Sequence, residues 1–312
     1  MESAQNLKRR MKSVQNIGQI TKAMELVAAT KMRRAQELAL VSRPYSYSAL
    51  ELLGILSNLK DVPMPEILQA RPIRKMAFVL MTSDKGLAGS FNSAVIRKFE
   101  EFLRHPMSGG RTPEDAVYIA VGQKAKSYLE RRKLDVIASF NRVGDLTKPE
   151  EAEPIADFLI KGYERHDFDG ATAFFTTFVT ALRQDAVARD FLPVEFDLIK
   201  QSIEDTIPRA GRYADYAKSE SFFESENPEY LIEPSPAEVL TKLAPRLLKT
   251  RIYHMILEAN ASEHSARRVA MKNASENAGE LSENLNVEYN KSRQAAITRE
   301  LTEITAGAEA LK

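Results

Sequence analysis

Several residue types are missing or scarce in this chain of 312 residues. There are no cysteines, which excludes disulfides, thiolate nucleophiles and cysteine-bound metals. The four histidines lack the spacing of metal ligands, so each is interpreted as a surface or packing residue. No run of about 18 apolar residues occurs, so any membrane association is expected to be indirect. With 44% hydrophobic and 28% charged residues, the chain has enough apolar side chains for a folded core.

Proline and glycine are also scarce at both ends of the chain. The first 43 residues contain no proline and one glycine, Gly18, and the last 67 contain no proline and two glycines, Gly279 and Gly307. Stretches of this kind predict helices longer than those of most compact domains. Two such helices at opposite ends of one chain are expected to pair antiparallel, since each must bury an apolar face.

The first of these stretches has a regular apolar pattern. Its apolar residues recur every three or four positions, at Leu7, Met11, Val14, Ile17, Ile20, Met24, Val27 and, on the same face, Leu38. This spacing predicts a coiled-coil seam in which Leu7, Val14 and Ile17 face the last helix. The stretch is basic, with nine Lys or Arg against three Asp or Glu, as a mitochondrial transit peptide would be. The continuous seam favours a helix of the mature protein.

A basic helix can bind nucleic acid, anionic lipid or an acidic protein surface, or can simply present a solvated face. Aromatic side chains that could stack on bases are absent before Tyr45, which disfavours nucleic acid.

The middle of the chain alternates between strand and helix patterns. Strands are predicted at 75–83, 116–121, 136–140, 171–180 and 194–199, and helices at 91–104, 123–132 and 150–164. This alternation predicts an α/β domain with a largely parallel sheet. The predicted division is therefore a helix at 1–60, an α/β domain at 73–202, an acidic linker at 203–236 and a second long helix at 237–312.

The turn from Gly86 to Ser90 is the one candidate for chemistry in this domain. It follows the first strand and precedes a helix, where backbone N–H groups could bind a phosphate. It lacks the third glycine of a dinucleotide site and the Lys of a phosphate-binding loop. A tight turn, with Ser90 or Asn92 capping the helix, is the favoured interpretation.

Longer motifs resemble a known family. ITKAMELVAATKMRRAQ at Ile20–Gln36 resembles the amino-terminal signature of the ATP synthase gamma subunit. SEHSARRVAMKNASENAGEL at Ser262–Leu281 and YNKSRQAAITRELTEITAGAEAL at Tyr289–Leu311 resemble its carboxyl-terminal signature, and TSDKGLAGSFN at Thr82–Asn92 is similar to its central turn. Ala88 and Ser90 depart from the family, where cysteine and glycine are frequent. The chain also lacks the cysteine-bearing insertion of the chloroplast form, so thiol regulation is not expected.

The resemblance implies a non-catalytic rotor shaft of a proton-translocating ATP synthase. The implied fold is a long antiparallel coiled coil of the N- and C-terminal helices plus a central Rossmann-like α/β domain. One copy would stand in the cavity of the alpha/beta hexamer and would also contact the epsilon subunit and the membrane c-ring. The resemblance implies no cofactor, no metal, no catalytic residue and no insertion into lipid. The implied location is the cytoplasmic side of a bacterial plasma membrane or, alternatively, the matrix side of the mitochondrial inner membrane.

Seven residues are implied as partner contacts. Lys22 and Met24 match bearing positions that face acidic loops of the beta subunits. Arg267, Gln294, Thr298 and Glu300 match positions that hold or release the catalytic ring. Tyr230, in the acidic segment Pro228–Pro236, is expected to contact the epsilon subunit or the ring. From the sequence alone Tyr230 lies in an exposed linker, and Met24 could equally be a buried seam residue. The other carboxyl-terminal candidates, Arg267, Gln294, Thr298 and Glu300, are ordinary polar helix positions. A nucleotide-binding enzyme and a homo-oligomeric coiled-coil scaffold stay as alternatives.

Overall fold

The computed structural model describes residues 3–42, 45, 48–49, 52–53, 55–56, 62–104, 115–145, 148–194 and 231–309. Its helices are α1 (Ala4–Val41), α2 (Phe91–Arg104), α3 (Gln123–Arg131), α4 (Glu153–Glu164) and α5 (Pro236–Glu309). Its strands are β1 (Lys75–Met81), β2 (Asp115–Val121), β3 (Val136–Phe140), β4 (Gly170–Phe178) and β5 (Gln184–Leu192). By its contacts the chain divides into two compact units. We call Met1–Ala28 with Arg267–Lys312 the coiled-coil unit, and Ala29–Ala266 the sheet unit.

The sheet has the strand order β3-β2-β1-β4-β5. The first four strands run parallel and β5 runs antiparallel to β4. Val79 of β1 lies at the centre, paired with Ile119 of β2 and Ala173 of β4. Because helices cover both faces of a parallel sheet, its strands are continuously apolar rather than alternating, as KMAFVLM in β1 illustrates.

The two faces of the sheet carry separate apolar clusters. On one face Phe78 and Phe174 pack with Val95 and Phe99 of α2, and the rings of Phe99 and Phe174 meet edge to face at 5.0 Å. On the other face, the alternate strand residues pack against Leu159 of α4 and the first part of α5. The sheet unit is therefore a three-layer α/β structure in which α5 is one of the covering helices.

The predicted alternation of strands and helices is confirmed, with two differences. Strand β5 was not predicted, because its sequence QDAVARDFL mixes charged and apolar residues, as suits an edge strand that is mostly half-buried. The helix predicted from 150 begins as a short 3₁₀ turn, Pro149–Glu151, before α4. The predicted extended segment lies outside the described residues except for Val194, and so do positions 203–230 of the predicted linker.

The terminal helices pair antiparallel, as predicted. In the coiled-coil unit, Ser275 Oγ of α5 donates to the carbonyl of Gly18 of α1, at 3.4 Å. In the sheet unit, Ser42 Oγ lies 3.0 Å from His254 Nε2. A higher residue number on α1 therefore goes with a lower residue number for its partner on α5.

The seam of this pairing differs from the predicted one. Apart from Met24, the half-buried and buried positions of α1 in the coiled-coil unit are Ala4, Leu7, Met11, Val14, Gly18, Thr21, Glu25 and Ala28. They alternate steps of four and three, which is the heptad pattern of a coiled coil. On α5, Met271, Ala278 and Leu285 are buried at intervals of seven residues.

The prediction that Ile17 faces α5 is wrong, since its side chain is 50% exposed. The seam is displaced by one residue after Val14, because a small residue at Gly18 allows closer helix packing than Ile17 would. A Cβ added at Gly18 would lie only 3.4 Å from the Cβ of Ala278.

Candidate functional site

An exposed apolar stripe runs along α1 beside the seam. Ile17, Ile20 and Val27 are 50%, 59% and 56% exposed, and Met24, in line with them, is half-buried. Their spacing of three, four and three residues places them on one face of the helix. Contiguous apolar side chains on a surface mark a contact with another protein. Met24 lies between this stripe and the seam, half-buried as Met11 and Val14 are.

Lys22 lies beside this stripe and is tied to the seam. Its Nζ is 2.9 Å from Glu25 Oε2, and the two side chains are 59% and 11% exposed. Glu25 is a buried seam residue, so it holds one end of the pair in place while Lys22 reaches solvent. An exposed pair of this kind stabilises the helix only slightly, but it presents an ordered cation at the surface.

A second exposed apolar stripe lies near the end of α5. Ile297, Leu301 and Ile304 are 49%, 58% and 63% exposed and share one helix face. The polar candidates Gln294, Thr298 and Glu300 are exposed on the same turns.

Thr298 Oγ1 donates to the backbone carbonyl of Gln294 at 3.0 Å. Arg267, on the same helix, is half-buried. Tyr230 lies outside the described residues, as do all the residues from 195 up to it.

The residues just before the glycine turn, Thr82 to Asp84, are tied to the start of α3. The first three N–H groups of α3 are already bonded to the end of β1 and the residues after it. Gln123 N–H donates to Asp84 Oδ1 at 3.1 Å, Lys124 N–H to the Ser83 carbonyl at 3.1 Å, and Ala125 N–H to Thr82 Oγ1 at 2.6 Å. A phosphate at this helix terminus would have to displace all three groups, including the carboxylate of Asp84.

The start of α2 is fastened to the end of β1 by a side chain. Asn92 Oδ1 accepts from Ser83 N–H at 2.9 Å, so Asn92 fastens α2 to the end of β1 and does not cap its own helix. Ser90 takes the N-cap position, because its carbonyl accepts from Ala94 N–H at 2.8 Å. Leu87 and Gly89 have positive φ angles of 63° and 55°. The chain therefore turns here through two residues in the left-handed backbone region.

A half-buried polar network at the amino-terminal ends of β1 and β4 was missed by the sequence prediction. Asp169 accepts from Arg71 Nε at 2.8 Å and from the N–H groups of Arg74 and Lys75 at 2.9 and 3.0 Å. Burial raises the pKa of Asp169, but the two backbone donors and the guanidinium lower it by a larger amount. The pKa of this carboxyl is therefore below its usual value. The Arg71 guanidinium also lies 4.1 Å from the centre of the Tyr163 ring. The network ties β1 to β4 and has no feature of a catalytic site.

Within the described ranges, no group of three or more acidic, His or Cys side chains is arranged to hold a metal ion. None of the helices in the same ranges combines the length and apolarity needed to cross a membrane.

Comparison with known proteins gives consistent matches over the full length. A family model described as ATP synthase matches residues 3–311. The chain is 36% identical to the ATP synthase gamma chain of Moorella thermoacetica, covering 100% of both chains. It is 38% identical to that of Herpetosiphon aurantiacus, covering 100% of this chain and 99% of the relative.

Solved structures show the same fold at lower sequence identity. The Euglena gracilis mitochondrial ATP synthase, described as OSCP/F1/c-ring in rotational state 3, contains a chain that matches with a TM-score of 0.63 and 17% identity, over 99% of this chain and 94% of that chain. A chain of the central stalk/c-ring of the Tetrahymena thermophila mitochondrial ATP synthase matches with a TM-score of 0.55 and 22% identity, over 82% and 99%. At these identities the likeness supports the fold.

Proposed function

The chain belongs to the ATP synthase gamma chain family, and we propose that it is the central rotor shaft of a proton-translocating ATP synthase. The observation that carries the proposal is the pair of exposed apolar stripes on the two terminal helices. Ile17, Ile20 and Val27 on α1 remain about half exposed although that helix pairs through another face, and Ile297 and Leu301 on α5 lie in the stretch 293–306, in which every residue is exposed. Such side chains require a surrounding protein surface to remove them from water.

The shaft would couple rotation to chemistry through contacts that differ with its angle. Its two helices present different side chains around the circumference, so each angle offers a different face to each catalytic subunit. A contact with the shaft shifts the equilibrium between two conformations of a catalytic subunit only if its free energy differs between those two conformations. The chain would therefore supply these differential contacts, while nucleotide binding and catalysis belong to the alpha/beta hexamer.

We assign the contacts with the hexamer to both helices. Lys22 would meet acidic loops of the beta subunits, and the ordered pair with Glu25 supports this role. Met24 would contribute the apolar part of the same bearing surface. The exposure of Gln294, Thr298 and Glu300 supports their assignment to the ring contact near the end of α5. Arg267 would contribute a contact from an earlier turn of that helix.

The remaining partners would be the epsilon subunit and the membrane c-ring, with one copy of the chain per complex. Tyr230 is the proposed contact in the acidic segment before α5. The membrane association would be peripheral, on the cytoplasmic side of a bacterial plasma membrane, with the matrix side of the mitochondrial inner membrane as the alternative. Neither partner requires a cofactor or a catalytic group on this chain.

The proposal is tested first by purifying the endogenous complex and measuring its subunit ratio. We expect one copy of this chain with three alpha and three beta subunits, following the alternating hexamer implied for the family. A homo-oligomer of this chain alone would instead support the coiled-coil scaffold.

The contact surface is tested by Thr298→Arg, with Thr241→Arg as its matched control. Both threonines are exposed on α5, and both hydroxyls donate to the carbonyl four residues earlier, at 3.0 and 2.8 Å. Either change should cost well under about 1 kcal/mol of stability, as surface substitutions usually do. ATP hydrolysis and synthesis by the reconstituted complex should fall for Thr298→Arg alone. Normal assembly with wild-type activities in both variants would contradict the assigned contact.

A further inference from the structure

The last two turns of α5 within the sheet unit are polar and yet buried. Asn260 and His264 are each 5% exposed, and Ser262 and Ser265 are fully buried. Buried polar side chains are costly unless they are hydrogen-bonded, so their presence beside an otherwise apolar helix face needs a reason. The preceding part of α5, from Leu240 to Leu257, packs mainly through apolar side chains, with Arg251 and His254 as buried exceptions, and Arg251 Nη2 donates to the carbonyl of Asp190 at 2.7 Å.

One pair of these side chains binds the loop after β3. Asn260 Nδ2 donates to the carbonyl of Val143 at 2.9 Å. His264, one turn later, donates from Nε2 to the carbonyl of Gly144 at 3.2 Å, which fixes the proton on that nitrogen. Both bonds are made to backbone carbonyls, so they locate the loop itself and do not depend on its side chains.

The other pair binds the β4–β5 hairpin. Ser262 Oγ donates to the carbonyl of Thr176 at 3.2 Å, and Ser265 Oγ donates to the carbonyl of Ala181 at 2.7 Å. The side chain of Gln184, the first residue of β5, donates to Ser265 Oγ at 3.4 Å. These bonds reach both the end of β4 and the turn that follows it.

The two pairs lie on roughly opposite sides of the helix. Asn260 and His264 are four residues apart on one face, whereas Ser262 and Ser265 are three apart, and Ser262 lies about 200° around the axis from Asn260. A rotation of the helix by about 20° would move a side-chain atom roughly 5 Å from the axis by about 2 Å. A displacement of that size breaks a hydrogen bond, while apolar packing has no comparable directional requirement.

We propose that Asn260, Ser262, His264 and Ser265 form a polar clamp that fixes the rotational angle of α5 against the sheet, so that torque passes from the α/β domain into the helix. They are positioning residues, since their side chains are buried inside the sheet unit and bond to its loops. The proposal rests on the proposed rotor function. Its physical basis is that α5 continues without a break to Glu309 and so carries both the clamp and the proposed contacts near Thr298.

The experiment uses the full chain with Asn260→Ala, Ser262→Ala and Ser265→Ala combined. Its control is Thr241→Ala with Thr250→Ala, which removes hydroxyls on α5 that bond only to the preceding turn of the same helix. Amide hydrogen exchange reports the loops at 143–144 and 176–184. We expect exchange there to rise by roughly fivefold for each bond lost in the clamp variant, and to stay unchanged in the control.

The functional readout is the number of protons pumped per ATP hydrolysed, measured in the reconstituted complex against an opposing gradient. We expect this ratio to fall in the clamp variant, while ATP hydrolysis by the detached headpiece stays at the wild-type rate. A fold defect would instead lower assembly and both activities together. If the combined variant does not assemble, Ser265→Ala alone gives the same two readouts with one substitution.

Either of two results would overturn the clamp. Unchanged exchange in both loops would mean that the bonds do not hold them, and an unchanged pumping ratio despite faster exchange would mean that they do not transmit torque. Failure of the wild-type chain to assemble with a catalytic hexamer is a different result, because it would refute the proposed function itself.

Discussion

Two neighbouring residues of α1, Ile17 and Gly18, offer a test of where the coiled-coil seam lies. Ile17 is already 50% exposed. Full burial of an isoleucine contributes about 2–3 kcal/mol, so Ile17→Gln removes about 1 kcal/mol at most, and the better helix propensity of glutamine offsets part of that loss. The same change at a true seam position would cost about 3 kcal/mol or more, because a polar amide would be buried.

The effect of a substitution at Gly18 on the stability of the helix pair should change sign with the size of the new side chain. The added Cβ of Gly18→Ala would meet Ala278 Cβ at 3.4 Å, an ordinary contact, so replacing a helical glycine should stabilise the pair by up to about 1 kcal/mol. Gly18→Leu brings three further carbons to the same place. Overpacking of about 1–3 kcal/mol should then outweigh the gain in helix propensity.

Amide hydrogen exchange of peptides covering residues 7–28 and 271–285 measures these differences in the full chain. A change of about 1.4 kcal/mol in local opening free energy alters the exchange rate about tenfold. We expect slower exchange for Gly18→Ala, faster exchange for Gly18→Leu and little change for Ile17→Gln. Exchange that rises more than tenfold for Ile17→Gln, with no response to Gly18→Leu, would place the seam at Ile17 and refute the assignment.

Two further outcomes are expected in the sheet unit. Asp169→Asn should cost about 2 kcal/mol at pH 7, since it removes the charge-assisted bond from Arg71. Because the folded-state pKa of Asp169 lies below its usual value of about 3.9, this stabilisation exists above that pH and is lost as the pH falls through the folded-state pKa. The urea midpoints of variant and wild type should therefore converge as the pH falls below the usual carboxyl pKa and the folded-state carboxylate is protonated, and a constant difference would contradict the network. Calorimetric titration of the chain with ATP, ADP or NAD should give no heat of specific binding; micromolar binding that Gly89→Val abolishes would restore the nucleotide-enzyme alternative.

The core of the α/β domain was predictable because both faces of its parallel strands are buried. An apolar run such as β1 buries all its side chains and pairs all its backbone groups when it lies inside a sheet that is covered on both faces. Strand β5 was not predictable from the same signal. It lies at the sheet edge, where Asp185 and Arg189 can remain half-buried, and its pairing with β4 depends on the hairpin rather than on apolar periodicity.

Local sequence also could not reveal the polar network around Asp169 or the buried residues near Ser262. Asp169 meets Arg71 across 98 positions of sequence, and Ser262 meets Thr176 across 86. No spacing rule links residues at such separations, and serine or asparagine within a helical pattern normally predicts solvent exposure. The burial of Ser262 and its neighbours follows from the loops that the strand order brings against α5.

The error in the seam has a related physical cause. On α1, positions 17, 20, 24 and 27 and positions 18, 21, 25 and 28 are two heptad phases one residue apart, and apolar periodicity favours the first because it holds the larger side chains. The second phase is the one that is buried, with Gly18, Thr21 and Ala28. Small side chains let two helices approach closely, so packing geometry selects the phase with less apolar area. The larger apolar residues are then left outside, and this displacement supplies the stripe that we assign to the catalytic subunits.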